Sequence, residues 1–158
     1  MEDLNFRKVK RYLILIFFFS IYSTSLFSQD FTFKKIVKLN DPWGSSFVND
    51  NELIITEKSG KIKIVNINLQ KISNIEHNLN YLEHGQGGLL DILYKENFIY
   101  ISYSENRGEW KSSTSIAKAR LEKNKLNFKN IFQAEPPIDS GYHFGSRLAI
   151  KDNYLFAS

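Results

Sequence analysis

Short apolar segments alternate with turn-forming residues along most of the chain after residue 40. In residues 61–66, polar and apolar side chains largely alternate, and Lys58-Ser59-Gly60 precedes them as a turn. Such alternation, bounded by Gly, Asn and Asp, is typical of β-strands. No segment of about 12 residues or more has the 3.6-residue period of a helix. The predicted strands are residues 43–48, 52–57, 61–66, 71–75, 88–94, 98–104, 115–121, 126–132, 146–150 and 154–156.

These strands fall into two groups of four, which begin near residues 43 and 88, and the first two strands of a third group, which begins near residue 146. Units of about 40–50 residues with four short strands each are typical of β-propeller blades. The pattern therefore predicts an all-β propeller, with a β-sandwich as the alternative. A propeller needs about four to eight blades to close. We therefore expect the chain to be the N-terminal part of a longer protein or a truncated reading frame, because it holds only two blades and the opening of a third.

Residues 1–28 have the pattern of a secretory signal peptide. Basic residues at 7–11 are followed by an apolar stretch at 12–22 and a small-residue patch at 23–28. This order is that of an export signal, and the apolar part is shorter than the roughly 20 residues of a membrane span. Cleavage is expected after Ser28, leaving residues 29–158 as the propeller part, in the periplasm or secreted. The alternative is an uncleaved N-terminal anchor.

Composition and charge exclude several classes of site. The chain has 158 residues and no cysteine, so disulfides, thiolate metal sites and a Cys nucleophile are ruled out. Aromatic residues reach 15%, which favours strands. The net charge of +4 comes partly from the four basic residues of the predicted signal, and the other lysines are scattered. No nucleic-acid partner is therefore expected.

The densest cluster of candidate functional residues is His84-Gly85-Gln86-Gly87-Gly88. Glycines allow sharp turns and close backbone approach, and the Gln86 amide can both donate and accept hydrogen bonds. Gln86 is therefore a candidate ligand-binding residue. The alternative is a turn between blades in which Gln86 caps the local backbone.

A second cluster, Tyr142-His143-Phe144-Gly145-Ser146-Arg147, comes where a loop leads into the third group of strands. A histidine facing the channel of a propeller can act as a general base near neutral pH. The alternative is that His143 hydrogen-bonds the backbone of a solvated loop.

The remaining candidates are structural. Asp91 is expected to be a buried hydrogen-bonding residue, and Arg147 to anchor a loop or pair with a carboxylate. His77 is expected to be solvated. The spacing of His77, His84 and His143 matches no short metal-binding pattern, so no metal site is predicted from the histidines.

Four segments in order resemble the glucose/sorbosone dehydrogenase family, the soluble quinoprotein sugar dehydrogenases that include the aldose sugar dehydrogenases. The resemblance covers nearly all of residues 41–158. The segments are Asp41-Pro42-Trp43-Gly44 with residues 53–62, Gly85-Gln86-Gly87-Gly88-Leu89-Leu90-Asp91, residues 100–105 with 113–117, and His143-Phe144-Gly145-Ser146-Arg147-Leu148.

The resemblance implies a six-bladed β-propeller that holds pyrroloquinoline quinone (PQQ) and calcium near its axis. It implies that His143 is the general base and also contacts the cofactor, and that Gln86 contacts cofactor and substrate. Sugar C1 would be oxidised to a lactone by hydride transfer to the quinone, and an external acceptor would take the electrons. Tyr142 stands where some members have an acidic residue, which makes it a candidate substrate contact.

The resemblance also places the calcium ligands and most quinone-binding residues downstream of residue 158. We therefore expect the 158-residue chain alone to be inactive. The alternative function is an exported, non-catalytic propeller that binds carbohydrate or protein, because a propeller fold does not by itself imply catalysis.

Overall fold

The computed structural model describes residues 31–158, and residues 35–158 form one compact unit. The predicted signal peptide, residues 1–28, lies outside the described residues. In the described part of the chain, no helix is long and apolar enough to span a membrane.

The first sheet is an antiparallel meander in which each strand pairs with the next one along the chain. Its β2–β3 turn, Lys58-Ser59-Gly60, places Gly60 at a φ of 89°, which glycine adopts without steric cost. Its four strands are β1 (Pro42–Asn49), β2 (Glu52–Glu57), β3 (Lys61–Asn66) and β4 (Lys71–His77).

The second sheet repeats this arrangement, and a hairpin follows it. Its strands again pair in the order in which they follow along the chain. The exception is a short strand, β8 (Lys125–Leu126), which pairs with the first sheet instead. The strands of the second sheet are β5 (Leu89–Lys95), β6 (Phe98–Asn106), β7 (Ser112–Arg120) and β9 (Lys129–Gln133), and the hairpin is β10 (Leu148–Lys151) with β11 (Tyr154–Ala157).

The prediction of one strand over residues 126–132 is wrong, because two segments share that range. β8 pairs in parallel with the edge of β4, and only from Lys129 onwards does the chain pair with β7. Leu126 and Phe128 are buried between the two sheets. Phe128 is also fixed to Asn78, whose side chain accepts from Phe128 N at 2.7 Å and donates to Phe128 O at 3.1 Å. These contacts hold the segment against the first sheet before it joins the second.

An apolar core lies between the two sheets. Because side chains alternate across a strand, each sheet turns one row of apolar residues toward its neighbour. The core consists of Ile54, Ile62, Ile75, Leu89, Ile92, Ile99, Ile101, Tyr103, Ala117, Ala119, Leu126 and Phe128. Full burial of an Ile or Leu side chain contributes roughly 1.5–3 kcal/mol relative to exposure, so this row is a principal attachment between the sheets.

The first strands of the three groups meet side by side at their starting ends. A Cβ added to Gly44 on β1 would lie 2.7 Å from Asp91 Cα on β5. The Asp91 side chain accepts a hydrogen bond from Leu148 N on β10 at 2.8 Å. β1, β5 and β10 thus stand next to one another with their starting ends together, which is the radial order of blades in a propeller.

A buried ion pair lies at the end of β2. Glu57 is fully buried, and its Oε1 accepts from Lys63 Nζ and from Asn40 N, both at 2.7 Å. Burial by itself raises the pKa of Glu57. The hydrogen bonds from Lys63 and Asn40, with the positive charges of Lys63 and Lys61, outweigh burial, and the pKa lies below its usual value of 4.5.

We expect the ion pair to make stability depend on acid pH. A carboxylate with a depressed folded-state pKa stabilises the fold above its unfolded-state pKa, and this contribution is lost as the pH falls through the folded-state pKa. Glu57→Gln should lower the free energy of unfolding at pH 7 by about 1–3 kcal/mol. It should lower it by less at pH 3, because the contribution of the ionised carboxylate starts to fall once the pH is below the unfolded-state pKa. Urea unfolding of the whole protein at both pH values measures this.

The matched control is Glu96→Gln, which removes an exposed carboxylate paired with Lys95 at 3.7 Å. It should change stability by less than about 0.5 kcal/mol at either pH. An equal loss at pH 7 and pH 3 in Glu57→Gln would contradict the assigned role of the ionised carboxylate.

Candidate functional site

The two clusters singled out in the sequence lie at the same end of neighbouring blades. Residues 84–88 form the turn that leads into β5, and residues 141–147 form the loop that leads into β10. Since β5 and β10 begin side by side, their leading segments meet. The structure therefore brings Gln86 and His143 together, although 57 residues separate them in the chain.

Glycines allow the Gln86 turn to fit between blade 1 and the His143 loop. Gly87 N donates to His84 O at 2.8 Å, which closes the turn. Gly85 has a φ of 59°, and a Cβ there would lie 2.4 Å from Gly141 O. A Cβ on Gly88 would lie 2.2 Å from Lys58 O. A side chain at either position would separate surfaces that are in contact.

Gln86 connects the turn to the loop through both its main chain and its side chain. Gln86 N donates to Gly141 O at 2.6 Å, and Gln86 Oε1 accepts from His143 N at 3.1 Å. Gln86 therefore does cap a backbone N–H, as the alternative interpretation held, but that N–H belongs to the loop leading into the next blade and not to its own turn. Among the described residues, its amide nitrogen has no protein acceptor and can donate to a ligand.

His143 is exposed on a loop whose backbone is fixed on both sides. Before His143, Gly141 O accepts from Gln86 N at 2.6 Å. After it, Thr114 Oγ1 donates to Phe144 O at 2.7 Å, and Ser102 Oγ donates to Ser146 O at 2.6 Å. His143 has a φ of 66°, a left-handed conformation that is uncommon for residues other than glycine. Within residues 31–158, its ring makes no hydrogen bond, so the interpretation of His143 as a backbone-binding residue finds no support.

Tyr142 lies beside His143 at the surface. Its side chain is 59% exposed, and the two rings are tilted by 51° with their centroids 6.3 Å apart. Tyr142, His143 and the Gln86 amide are thus neighbouring exposed groups that a polar ligand can contact together.

Of the structural candidates, Asp91 behaves as predicted. It is 5% exposed and accepts from Ile92 N at 3.0 Å as well as from Leu148 N. Arg147 NH1 lies 3.7 Å from Asp91 Oδ2, but the Arg147 side chain is 80% exposed, so this pairing is weak.

The prediction that His77 is solvated is wrong. Its ring is partly buried, and Nε2 lies 2.8 Å from Gly60 O because β4 passes beside the β2–β3 turn. His84 is exposed in the Gln86 turn.

Sequence reasoning missed the residues that support the site. Ser104 is fully buried and accepts from Gly88 N at 2.7 Å while donating to Leu82 O at 2.6 Å. Ser102 accepts from Asp91 N at 3.0 Å in addition to its bond to the His143 loop. The signal that could have found them is the placement of Ser102 and Ser104 on one face of β6, among apolar and aromatic residues.

The acidic and histidine side chains of residues 31–158 are the candidates for a metal centre. Residues 31–158 contain no group of three or more His, Asp or Glu side chains placed to hold a metal ion.

The chain is similar in fold to solved structures of sugar dehydrogenases. The apo form of the soluble aldose sugar dehydrogenase from Escherichia coli matches with a TM-score of 0.65 and 30% identity, over 71% of this chain and 35% of that chain. The PQQ-bound aldose sugar dehydrogenase from Streptomyces coelicolor has the same TM-score at 18% identity, over 75% of this chain and 37% of its own. The chain is thus part of a β-propeller of this kind, and the all-β propeller prediction is confirmed.

The sequence comparisons give the family. The Glucose / Sorbosone dehydrogenase family profile matches residues 39–158, and the chain belongs to that family. Aldose sugar dehydrogenase YliI of Escherichia coli is 31% identical over 129 residues, 75% of this chain and 35% of that protein. An uncharacterized protein of Synechocystis sp. is 30% identical over 136 residues, 76% of this chain and 32% of its own length. The chain therefore spans about a third of the relatives it matches.

We expect Gly85→Ala to damage the site through a clash. Gly108 provides a matched control, because its φ of 82° is also left-handed but a Cβ there meets nothing within 4 Å. Gly108→Ala should cost about 1 kcal/mol of stability from backbone conformation alone. Gly85→Ala adds a contact with Gly141 O and should cost about 1–3 kcal/mol more.

Thermal unfolding of both variants of the whole protein measures the difference. Local damage should also appear as faster amide exchange at Gln86 in Gly85→Ala and not in Gly108→Ala. Equal effects of the two substitutions would show that the close approach of Gly85 to Gly141 is not required.

Proposed function

We propose that the protein containing this chain is a quinone-dependent sugar dehydrogenase that oxidises aldoses at C1 to lactones. The observation that carries this proposal is the coupling of Gln86 to His143, which places an amide donor and an unengaged imidazole side by side at one end of the blades. Family membership and the PQQ-bound neighbour of the same fold support the reaction class.

His143 has the chemistry of the proposed base. An imidazole nitrogen within hydrogen-bond reach of a substrate hydroxyl can take its proton as a general base. In the proposed reaction it takes the proton of the anomeric hydroxyl as the C1–H bond breaks, so that a carbonyl forms at C1. PQQ, when bound, supplies the acceptor for the hydride and its two electrons. The hydrogen-bonded backbone on both sides of His143 fixes the point from which the ring extends, which limits where it can reach.

The groups present suit a cofactor rich in oxygen acceptors. PQQ carries carboxylates and quinone oxygens, and the Gln86 amide and the His143 ring offer donors to such atoms. Tyr142 is proposed to contact the sugar, because an exposed aromatic side chain beside the base offers both a flat apolar face and a hydroxyl. Calcium is proposed to bind residues outside this chain.

Loss of the His143 imidazole should abolish most of the turnover. The whole protein, reconstituted with PQQ and calcium, should reduce an artificial electron-accepting dye with aldoses. His143→Ala should lower kcat by about 10²–10⁴-fold, which is the usual contribution of a positioned general base. His77→Gln is the control, since it removes a histidine on β4 and keeps a donor toward Gly60 O.

A second substitution at the same position separates chemistry from folding. His143→Gly fits the φ of 66° without strain and should be more stable than His143→Ala by about 1 kcal/mol. Both should lose the same turnover. Unchanged turnover in either variant would remove His143 from the mechanism. Saturable carbohydrate or protein binding without turnover under any reconstitution would instead support the non-catalytic propeller.

The protein is proposed to be exported to the periplasm or secreted. This rests on the basic, apolar and small-residue order of residues 1–28. Intact-mass measurement of protein taken from outside the cytoplasm should give a mature chain that begins at Gln29. A chain that retains residues 1–28 in the membrane fraction would favour the anchor, and one that retains them in the cytoplasm would overturn export.

A further inference from the structure

The peptide group between Gly85 and Gln86 is held at both of its polar ends. Its carbonyl oxygen, Gly85 O, accepts a hydrogen bond from Lys58 Nζ in the β2–β3 turn of the first blade. Its N–H, Gln86 N, donates to Gly141 O in the His143 loop at 2.6 Å. One peptide plane thus links the first blade to the loop that carries His143.

Lys58 also contacts the turn through its main chain. Lys58 O accepts from Leu89 N at 3.2 Å, and the absence of a side chain at Gly88 lets that carbonyl approach. Lys58 N donates to Asp41 O at 3.1 Å, and the β2–β3 turn closes with Gly60 N donating to Glu57 O at 3.0 Å. The backbone from which the Lys58 side chain extends is therefore fixed.

We propose that Lys58 is a positioning residue for Gln86 and, through Gly141, for His143. A cation bound to a peptide carbonyl polarises the group, and hydrogen bonds in a chain strengthen one another. The Lys58 ammonium thereby strengthens the bond from Gln86 N to Gly141 O, two residues before His143. The functional part of this inference rests on the proposed dehydrogenase activity, whereas the positional part does not.

The first measurement is independent of activity. Hydrogen exchange of the amides of residues 84–88 is followed in the whole protein without cofactor. Lys58→Met keeps the length of the side chain and removes its charge, and it should raise exchange at the Gln86 amide about tenfold while leaving the melting temperature nearly unchanged. Lys58→Arg should restore most of the protection, because a guanidinium can also donate to Gly85 O.

Lys61→Met is the matched control. Lys61 is an exposed lysine at the start of β3, three residues from Lys58. Its replacement should leave exchange at Gln86 unchanged. Should Lys58→Met fail to fold, Lys58→Gln is measured against the same criterion.

The second measurement is steady-state turnover of the reconstituted protein. Lys58→Met should lower kcat/KM about tenfold, mainly through kcat, and Lys58→Arg should recover it, since a misplaced Gln86 and His143 affect the reacting geometry. Unchanged exchange at Gln86 in the Met variant would overturn the proposal whatever the activity. If Lys58→Met increases exchange at Gln86 but the wild-type protein turns over no aldose, the positional role of Lys58 stands and the dehydrogenase assignment is wrong.

Discussion

The apolar contact between successive sheets is the constraint on which the rest of the molecule depends. Each sheet has a row of apolar side chains that must be covered. Ile54 and Ile62 of the first sheet and Ile99 and Ile101 of the second belong to one buried cluster. This packing sets the first strands side by side with their starting ends together. The turns that lead into those strands then meet at one end, and the site arises from a meeting that no single blade can produce.

Bringing two loops together creates a second requirement, which is that their backbone polar groups find partners. Small hydroxyl side chains provide many of these partners. Ser104 hydrogen-bonds the backbone of the Gln86 turn, and Ser102 and Thr114 hydrogen-bond the backbone of the His143 loop. Gln86 adds the direct bond between the loops. Because these partners are satisfied within the protein, the His143 ring remains unengaged by the described residues and is available to a ligand.

The sequence predicts the strands well where alternation is strict and turns are marked by Gly, Asn or Asp. The strand prediction fails at residues 126–132, because Leu126 pairs with the first sheet and the chain joins the second sheet only from Lys129. The prediction for His77 fails for a similar reason, since the partner of its ring is the carbonyl of Gly60 in the β2–β3 turn, 17 residues away in the chain. Gln86 and His143 could be found through family motifs. Lys58 could not, because its contact joins a side chain to a distant backbone carbonyl, and such a contact leaves no periodic signal.

The conformation of His143 shows how the two requirements combine. A left-handed backbone costs about 1–2 kcal/mol for a residue with a side chain, and it persists where surrounding contacts fix it. Here the His143 N–H is held by Gln86, and the next carbonyl, that of Phe144, by Thr114. Both partners belong to the second blade, whereas His143 leads into the third. The placement of the proposed base is therefore a property of the boundary between blades, and a change that loosens this boundary should act on the site before it acts on the fold of either blade.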